Sequence, residues 1–452
     1  MKPAGLVLAA AMAALPVDIP ARGTAADRPS PTFAADIAPI VYANCVVCHR
    51  PGQAAPFSLI TYDDVRKHGE TIVDVTKSRY MPPWHAARAE GFPEFRDERR
   101  LSDAALKTLA DWVAGGMPAG DLRKAPLPPV FPSGWALGVP DLIVRMSRTI
   151  DVPADGPDLY KNVTMAIDLP DDRWITAVDF EPSARTVVHH ALFFTGPASE
   201  VVDDNDPIPG LRGLRGGGRG IGAADQAWGG LGGWVPGMTP RFYPEGIAQP
   251  LPKHTNLVIQ LHLHPSGKAE REQGQLAIYF AKTPPKKSLT GVQVPPVFGF
   301  AAGIDIPAGD RAFTIHDSFT LPVAVEAFGA RGHAHYLARE MKMTATLPDG
   351  TTKGILWIKN WDFGWQDSYF FKTPFTLPKG TRVDSTIVYD NSEDNPHNPR
   401  TPPVPVKWGR QSFDEMGSVT LLIATPPGAD AEALRTAQAQ HFRQELIARF
   451  RR

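Results

Sequence analysis

The chain has 452 residues, and its 47 Lys and Arg residues nearly balance its 48 Asp and Glu residues. The resulting formal net charge of -1 argues against nucleic acid or an anionic membrane surface as the main partner. Redox or small-molecule chemistry is the simpler expectation, and the length suggests about three domains of about 150 residues each.

The first residues are similar to a secretory signal peptide. Lys2 precedes an apolar run over residues 6–15, and small residues at 23–26 form a possible cleavage site. A membrane span needs about 20 apolar residues, and this run ends at Pro16, so a cleaved signal over residues 1–26 is favoured over an anchor. We therefore expect export to a bacterial periplasm and no transmembrane segment in the mature chain.

The most informative motif is Cys45-Val46-Val47-Cys48-His49. Its spacing suits two thioether bonds to haem vinyl groups, with His49 as an axial iron ligand. A zinc knuckle would need a second ligand pair, and the chain has only 2 cysteines. A thioredoxin-like redox pair is the other alternative, but the histidine that directly follows favours haem. The sequence therefore predicts covalently bound haem c and leaves no cysteine for a disulfide.

The region around this motif is predicted to be a small all-α c-type cytochrome domain, residues 32–121. Helical patterns cover residues 33–44, which lead into the haem motif, and residues 62–77. Ser102 is placed to cap a third helix, with Asp103 in its first turn. Three apolar side chains share one face of this helix at three- and four-residue spacing: Leu106, Leu109 and Val113.

A second axial ligand is expected from the proline-stiffened loop between the second and third helices. Met81 is followed there by two prolines and is the predicted distal ligand, because Met/His ligation is the common cytochrome arrangement. His85, His68 and Met117 remain competitors for the iron.

After residue 121 the composition changes. Residues 122–140 are rich in proline, glycine and charge, which favours an extended linker. Two consecutive all-β, jelly-roll-like sandwiches are predicted beyond it, over residues 141–283 and 287–428. A helical tail over residues 429–452 is expected to serve packing or docking. The candidate strands are 142–152, 163–169, 174–180, 187–194 and 257–264, followed by a second series between 313 and 389.

Two stretches of the β region mimic known signatures. The glycine-dense residues 211–233 contain phosphate-loop lookalikes, but they do not join a clear strand to a helix, and a long flexible loop is expected. The sequence Asp362-Phe363-Gly364 lacks the rest of a kinase signature and is interpreted as strand sequence.

Histidines are concentrated at three places in the β region. Residues two apart on a strand share a face, so each His-x-His pair offers two imidazoles to one ion, whereas adjacent histidines need a bulge, a strand end or different ring nitrogens to converge. Many buried histidines without partners would be hard to satisfy, which favours metal binding. The three places are His189-His190, His262-Leu263-His264 and His333-Ala334-His335.

With these motifs, residues 141–428 resemble the copper type II, ascorbate-dependent monooxygenases, the family of peptidylglycine α-hydroxylating monooxygenase and dopamine β-monooxygenase. The order and wide separation of four motifs make the combination specific. They are Val188-His189-His190-Ala191, Val258-Ile259-Gln260-Leu261-His262, Arg331-Gly332-His333-Ala334-His335 and Ser412-Phe413-Asp414-Glu415-Met416.

The resemblance implies two copper ions. One, for electron transfer, would bind His189, His190 and His262, and the other, for oxygen, would bind the catalytic set His333, His335 and Met416. Imidazole suits copper in either oxidation state, and a thioether favours Cu(I), the state that must meet oxygen. His264 lies on the same strand face as His262 and is left open as a ligand, an outer partner or a solvated neighbour.

The resemblance also implies a substrate residue. Arg331 occupies the place of an arginine that holds the substrate carboxylate in the peptide-hydroxylating members. The asparagine and tyrosine that assist it there are replaced by Ser418 and Thr420, so an amidated-peptide substrate is disfavoured.

The sequence therefore predicts a copper monooxygenase that hydroxylates a C-H bond of a small organic substrate with O2. The expected electron route runs from an unidentified periplasmic donor to haem, to the three-histidine copper and then to the oxygen copper, with the two coppers held apart across a cleft. The main alternative is a non-enzymatic haem and copper protein for electron transfer or copper handling. A haem peroxidase or a copper nitrite reductase is a third, but the latter usually needs a cysteine ligand.

Overall fold

The computed structural model describes residues 30–53, 55–131, 134–197, 229–409, 411–426 and 428–451. The predicted signal segment, residues 1–26, lies outside these ranges. Most of the described chain is β-sheet, with a small group of helices before it and one helix after it. No helix in the described ranges combines the length and apolarity needed to cross a membrane.

Helices form in residues 30–131 where the sequence predicts them. Ser102 caps the last of them by accepting the N–H of Ala105, as expected. The helix predicted over residues 62–77 is divided at His68, whose backbone is not helical and which precedes a glycine. A turn of π-helix, Phe33–Ile37, leads into α1 (Ala38–Asn44), which is followed by α2 (Tyr62–Lys67), α3 (Gly69–Lys77) and α4 (Asp103–Ala114).

The described part of residues 134–426 contains short strands connected by turns. In chain order they are β1 (Leu142–Arg145), β2 (Ile150–Val152), β3 (Leu159–Ile167), β4 (Arg173–Glu181), β5 (Val188–Pro197), β6 (Gly229–Trp234), β7 (Ile247–Leu251), β8 (Thr255–Leu263), β9 (Glu270–Glu272), β10 (Gln275–Phe280), β11 (Lys287–Val294), β12 (Asp305–Ile306), β13 (Phe313–Thr320), β14 (Val325–Ala334), β15 (Ala338–Thr346), β16 (Thr352–Ile358), β17 (Ser368–Leu377), β18 (Arg382–Tyr389), β19 (Val406–Lys407) and β20 (Gly417–Thr425).

One eight-stranded sheet runs through both halves of the β region, in the order β1-β10-β4-β7-β11-β20-β14-β17. The halves join where β7 and β11 pair in parallel, with Ile247 opposite Lys287. A four-stranded sheet β3-β8-β5-β6 covers the first half, and β13-β18-β15-β16 covers the second. The sequence predicted two consecutive sandwiches, whereas the structure has two cores that share one continuous sheet.

Each half has its own apolar core between the large sheet and its four-stranded partner. The most deeply buried strand of the first half is β8, in which Leu257, Ile259, Leu261 and Leu263 are inaccessible to solvent. Each large apolar side chain buried in this way stabilises the fold by about 1.5–3 kcal/mol. The cores therefore hold β5 and β8, and likewise β14 and β20, in fixed register.

The helical region is attached to the second half of the β region by an extended segment. Ala86 bridges to Ile358 on β16, and Phe95 bridges to Phe371 on β17. The ring of Trp84 also lies 5.1 Å from that of Tyr369. These contacts prolong the sheet edge and bury aromatic surface between the two regions.

The predicted linker, residues 122–140, is only partly extended. A short 3-10 turn, Leu122–Lys124, begins it. Trp135 and Leu137 pack against Ala177, Ala277 and Tyr279 of the large sheet.

Two loop predictions have different outcomes. Most of the glycine-dense residues 211–233 lie outside the described residues, but their end belongs to strand β6. The interpretation of Asp362-Phe363-Gly364 as strand sequence is wrong, because these residues lie in the turn between β16 and β17. The carboxylate of Asp362 accepts the N–H of Gly364, which closes the turn locally.

The C-terminal helix α5 (Ala429–Arg451) docks on the second half. Leu434, Phe442 and Leu446 are buried on its inner face. His441 Nε2 lies 2.9 Å from the buried carboxylate of Asp317 on β13. This pair gives the docked helix a polar attachment in addition to its apolar one.

The His441–Asp317 pair predicts a pH-dependent stability. Burial alone would lower the pKa of His441, but the hydrogen bond and charge of Asp317 outweigh burial and raise it. Because the folded pKa is the higher one, the stabilisation is complete below the unfolded value of about 6.5 and is lost as pH rises through the folded pKa.

We expect His441→Gln to lower the free energy of unfolding by about 1–2 kcal/mol in mild acid and by less in alkali. Denaturant unfolding of the parent and the variant over a pH series measures the difference. A constant difference across that series would contradict the prediction.

Candidate metal centre

Three of the predicted ligands come together on neighbouring strands. His190 on β5 lies directly opposite His262 on β8. The register of this pair shifts between Val188 and His190, so His189 occupies a bulge. The bulge turns two consecutive side chains to the same side of the sheet, which a regular strand would not allow.

The three imidazoles converge through the same ring nitrogen. His189 Nδ1 lies 3.1 Å from His190 Nδ1, and His190 Nδ1 lies 3.4 Å from His262 Nδ1. The candidate ligand atoms of all three lie within 4.8 Å of one another. Three nitrogens around one point are the donor set expected for a transition-metal ion.

These imidazoles are held in the neutral form. Burial, followed by the charges of neighbouring histidines, lowers the pKa of His190 well below its ordinary value. Burial likewise lowers the pKa of His189 to about 3 and lowers the pKa of His262. A neutral ring has a free lone pair, so the set is ready to bind a metal at neutral pH.

Asp158, directly before β3, orients this group. Its carboxylate lies 2.7 Å from His262 Nε2, 2.7 Å from His264 Nδ1 and 2.8 Å from Ser412 Oγ. Burial alone would raise the pKa of Asp158, but these hydrogen bonds outweigh it and hold the pKa well below the usual range. A proton on His262 Nε2 leaves the Nδ1 lone pair directed at the other two rings.

The role of His264, left open by the sequence, is settled in part by this contact. Its side chain is 65% exposed and bonds to Asp158. It lies outside the group of three converging histidines.

His333 and His335 use the opposite ring nitrogens. His333 Nδ1 donates to Gln366 Oε1 at 2.6 Å, and His335 Nδ1 donates to the carbonyl of Asp414 at 3.1 Å. These bonds leave Nε2 as the ligand atom of each ring. Burial lowers the pKa of His333 to about 4 and that of His335 well below its ordinary value, so both rings are neutral.

Met416 is buried at the start of β20, beside the end of β14. His333 pairs with Ser418, and Ala334 pairs with Gly417. The buried Glu415 carboxylate accepts the N–H groups of His335 and Met416 at 2.6 and 2.8 Å. Burial raises the pKa of Glu415 to about 8 despite these bonds. The backbone of Met416 is thus fixed next to His335, and its role as a sulfur ligand stays a prediction.

The three-histidine set lies next to the set that contains His333 and His335. The rings of His190 and His333 lie 6.5 Å apart, and those of His333 and His335 lie 5.6 Å apart. Phe363 fills the space beside them, 4.8 Å from His189 and 5.5 Å from His335. The prediction that the two sites face each other across a cleft is therefore wrong in this structure, because five imidazoles form one cluster.

A small cavity of about 60 Å³ opens beside the cluster. Its lining includes His190, His333, Met238, Gln366 and Arg331. Burial lowers the pKa of Arg331, but a guanidinium still remains charged at neutral pH. Among the described residues no carboxylate forms an ion pair with Arg331.

The haem motif lies at the end of α1. His49 Nδ1 is 3.2 Å from the carbonyl of Phe57, which leaves Nε2 free for an axial bond. Burial raises the pKa of Cys45 to about 12 and also raises the pKa of Cys48, so both thiols are neutral. A Cβ atom on Gly237 would lie 2.6 Å from Cys48 Sγ, so only glycine leaves room for this sulfur.

Met81 lies in the turn after α3, where its N–H donates to the carbonyl of Val75. Of its competitors, the Met117 sulfur packs at Gly69, and His68 stacks at 3.9 Å on Phe57, whose ring also lies 4.7 Å from that of His49. His85 Nε2 is buried without a hydrogen-bond partner among the described residues. The choice of Met81 as distal ligand stays a prediction.

The sequence did not identify several residues that hold the cluster. They provide oxygen acceptors, one indole N–H donor and aromatic contacts from loops, and the sequence assigned none of them a function. They are Asp158, Trp361, Phe363, Gln366 and Glu415.

No family model and no curated protein sequence matches this chain. Among solved structures, PNGase F, a glycosylasparaginase from Flavobacterium meningosepticum, matches with a TM-score of 0.29 and 10% sequence identity. The match covers 64% of this chain and 96% of the PNGase F chain. PNGF-II is 12% identical with a TM-score of 0.27, covering 63% and 65%. The VP2 subviral particle of infectious bursal disease virus is 11% identical with a TM-score of 0.17, covering 68% and 76%. Similarities this weak carry no conclusion about function.

Because Asp158 accepts a hydrogen bond from His262, we expect a substitution of Asp158 to change the affinity for copper. Asp158→Asn keeps the shape of the side chain but removes one acceptor oxygen and the negative charge. We expect it to lower copper affinity by about 10- to 100-fold, the usual effect of losing an outer partner of a metal ligand.

Competition with a copper chelator measures this affinity. The matched control is Asp151→Asn, because Asp151 forms an exposed ion pair with Arg271 away from the cluster. Equal affinities for the parent and Asp158→Asn would contradict the role assigned to this carboxylate.

Proposed function

We propose that this protein is a haem- and copper-dependent monooxygenase that hydroxylates a C-H bond of a small organic substrate with O2. The observation that carries the proposal is the cluster of five neighbouring imidazoles in a chain that also contains a Cys-x-x-Cys-His motif. One oxygen atom enters the C-H bond, and the other leaves as water with two electrons and two protons.

Cys45, Cys48 and His49 are the residues that would hold haem c, with Met81 as the proposed distal ligand. When bound, haem supplies one-electron transfer. The Cys-x-x-Cys-His spacing and the free Nε2 of His49 suit this group.

The histidine cluster suits copper. His189, His190 and His262 would hold one ion through Nδ1, and His333 and His335 would hold the second through Nε2, with Met416 as a thioether ligand. When bound, copper supplies the electron transfer and oxygen chemistry. Asp158, Gln366 and the Asp414 carbonyl fix the ring orientations, and Phe363 keeps water from the shared wall.

The cavity constrains the substrate. A volume of about 60 Å³ is that of a few water molecules, so it suits dioxygen and the reacting end of a small molecule rather than a peptide. Arg331 lies two residues before His333 and would bind an anionic group of the substrate. Thr420 and Ser418 lie opposite these residues on β20 and leave no aromatic side chain at those positions.

We place the protein in the periplasm, with an external donor that reduces the haem. The second candidate function is non-enzymatic electron transfer or copper handling. The small size of the cavity favours it, because a copper carrier needs no substrate site.

The ligand sets predict the cofactor content. Protein exported in copper-replete cells should carry one covalent haem and about two copper ions per chain, one for each nitrogen-rich site. Cys48→Ala should lose covalent haem and keep copper, because the cysteine and the histidine cluster belong to different regions.

Haem staining of the denatured protein and elemental analysis measure the two contents. Ser147, which is exposed in the turn between β1 and β2 and donates to the carbonyl of Thr164, offers the control Ser147→Ala. A single copper per chain, or zinc bound in preference to copper, would count against the proposed function.

A substitution of Met416 distinguishes the proposed monooxygenase from a copper carrier. Met416→Leu keeps the size and apolarity of the side chain but removes its thioether, so Cu(I) binding at that site should weaken. We expect substrate-dependent oxygen uptake to fall by about 100-fold, since even an outer partner costs about 10- to 100-fold.

Oxygen uptake and product formation over a panel of small organic carboxylates measure the effect. Met343→Leu is the matched control, because Met343 is buried in the second core away from the cluster. If Met416→Leu oxidises the substrate at the parent rate, the proposed oxygen site is wrong. If the parent consumes no oxygen with any substrate, that result favours the copper-carrier function.

A further inference from the structure

The turn between β16 and β17 contacts both the haem motif and the histidine cluster. It consists of residues 361–367, here called the 361–367 loop. No predicted ligand lies in this loop. Its side chains nevertheless lie near Cys48 and contact the rings of His333 and His189. The 361–367 loop therefore connects the Cys48 region with the histidine cluster.

On the haem side the contact is made by Trp365. A Cβ atom placed on Gly237 would lie 2.6 Å from Cys48 Sγ and 3.8 Å from Trp365 Cζ3. The Cys48 thiol and the edge of the Trp365 indole thus both lie close to Gly237. Arg99 fixes this arrangement, because its guanidinium lies 3.2 Å from the carboxylate of Asp367 in a largely buried ion pair.

On the metal side the contact is made by the next residue. Gln366 Oε1 accepts the Nδ1–H of His333 at 2.6 Å. The same loop donates Trp361 Nε1–H to the carbonyl of His335 at 2.9 Å, which fixes its other end. Two consecutive residues, Trp365 and Gln366, therefore span the space between Cys48 and His333.

We propose that Trp365 and Gln366 form the path by which electrons pass from a haem on Cys45 and Cys48 to the His333 end of the histidine cluster. This inference rests on the proposed function. One electron leaves ferrous haem, which becomes ferric, and reduces one Cu(II) to Cu(I), and no bond forms or breaks. The external donor then reduces the haem again.

This order differs from the sequence prediction, in which the three-histidine copper receives the electron first. The competing path also begins at Gly237, but it continues through Met238 into the cavity beside His190. The Met238 path has no hydrogen bond to a ligand ring, whereas the Trp365–Gln366 path ends in one.

The test follows electrons under anaerobic conditions. Protein with ferric haem and Cu(II) is mixed with limiting dithionite, the haem is followed by visible absorption, and Cu(II) is followed by freeze-quench electron paramagnetic resonance. Cys48→Ala, without covalent haem, gives the rate of direct copper reduction. Redox titration of each variant checks that the haem and copper potentials have not moved.

Trp365→Leu and Gln366→Leu should each slow electron transfer from haem to copper by about tenfold or more, with unchanged potentials. For Gln366, which bonds to His333, this is the usual size of effect when an outer partner of a metal ligand is lost. Gln366→Glu keeps the acceptor for His333 and should restore most of the rate. Trp357→Leu is the matched control, since this tryptophan lies on β16 and packs against Phe92 instead. In a His189→Ala background, electrons should still reach the remaining copper at the parent rate.

Parent rates in both Trp365→Leu and Gln366→Leu would overturn this inference and leave the proposed function standing. So would a loss of rate in Met238→Leu, or a failure of transfer in the His189→Ala background with its remaining copper bound. A parent protein that binds no haem or no copper would overturn the proposed function, and this inference with it.

Discussion

The close packing of five largely buried imidazoles is the constraint on which the centre of this protein depends. A buried polar atom without a partner costs about 1–3 kcal/mol. One ring nitrogen of each of three histidines bonds to an oxygen: His262 to Asp158, His333 to Gln366 and His335 to Asp414. The Nδ1 atoms of the three-histidine set face one another at 3.1 and 3.4 Å, where a bound cation would turn mutual repulsion into ligation.

The continuous eight-stranded sheet brings the two ligand sets into this one cluster. Parallel pairing of β7 with β11 fixes the first half against the second, and the Ser412–Asp158 hydrogen bond crosses between them. The rings of His190 and His333 consequently lie 6.5 Å apart. The extended segment bridges at Phe95 to β17 of this sheet and at Ala86 to β16 of the four-stranded sheet, and Cys48 lies close to Gly237 and Trp365 of the 361–367 loop.

Local sequence was sufficient for features that depend on near neighbours. The Ser102 cap and the shared face of His333 and His335 follow from hydrogen-bond reach and strand periodicity, whereas periodicity allowed several ways for His189 and His190 to converge, of which the structure has a bulge. Local sequence failed at Asp362-Phe363-Gly364, where a side-chain turn replaces the predicted strand. It also failed at His68, where one non-helical residue divides a predicted helix.

The sequence by itself determined which chemical groups are present: a Cys-x-x-Cys-His motif, three histidine motifs and a methionine after Glu415. Only the tertiary structure decided that Asp158 orients His262, that Gln366 orients His333, and that both ligand sets form one cluster. These partners are separated by tens to hundreds of residues. Their distances are set by how the sheets pack and how the strands are paired, and no local pattern of residues encodes such a distance.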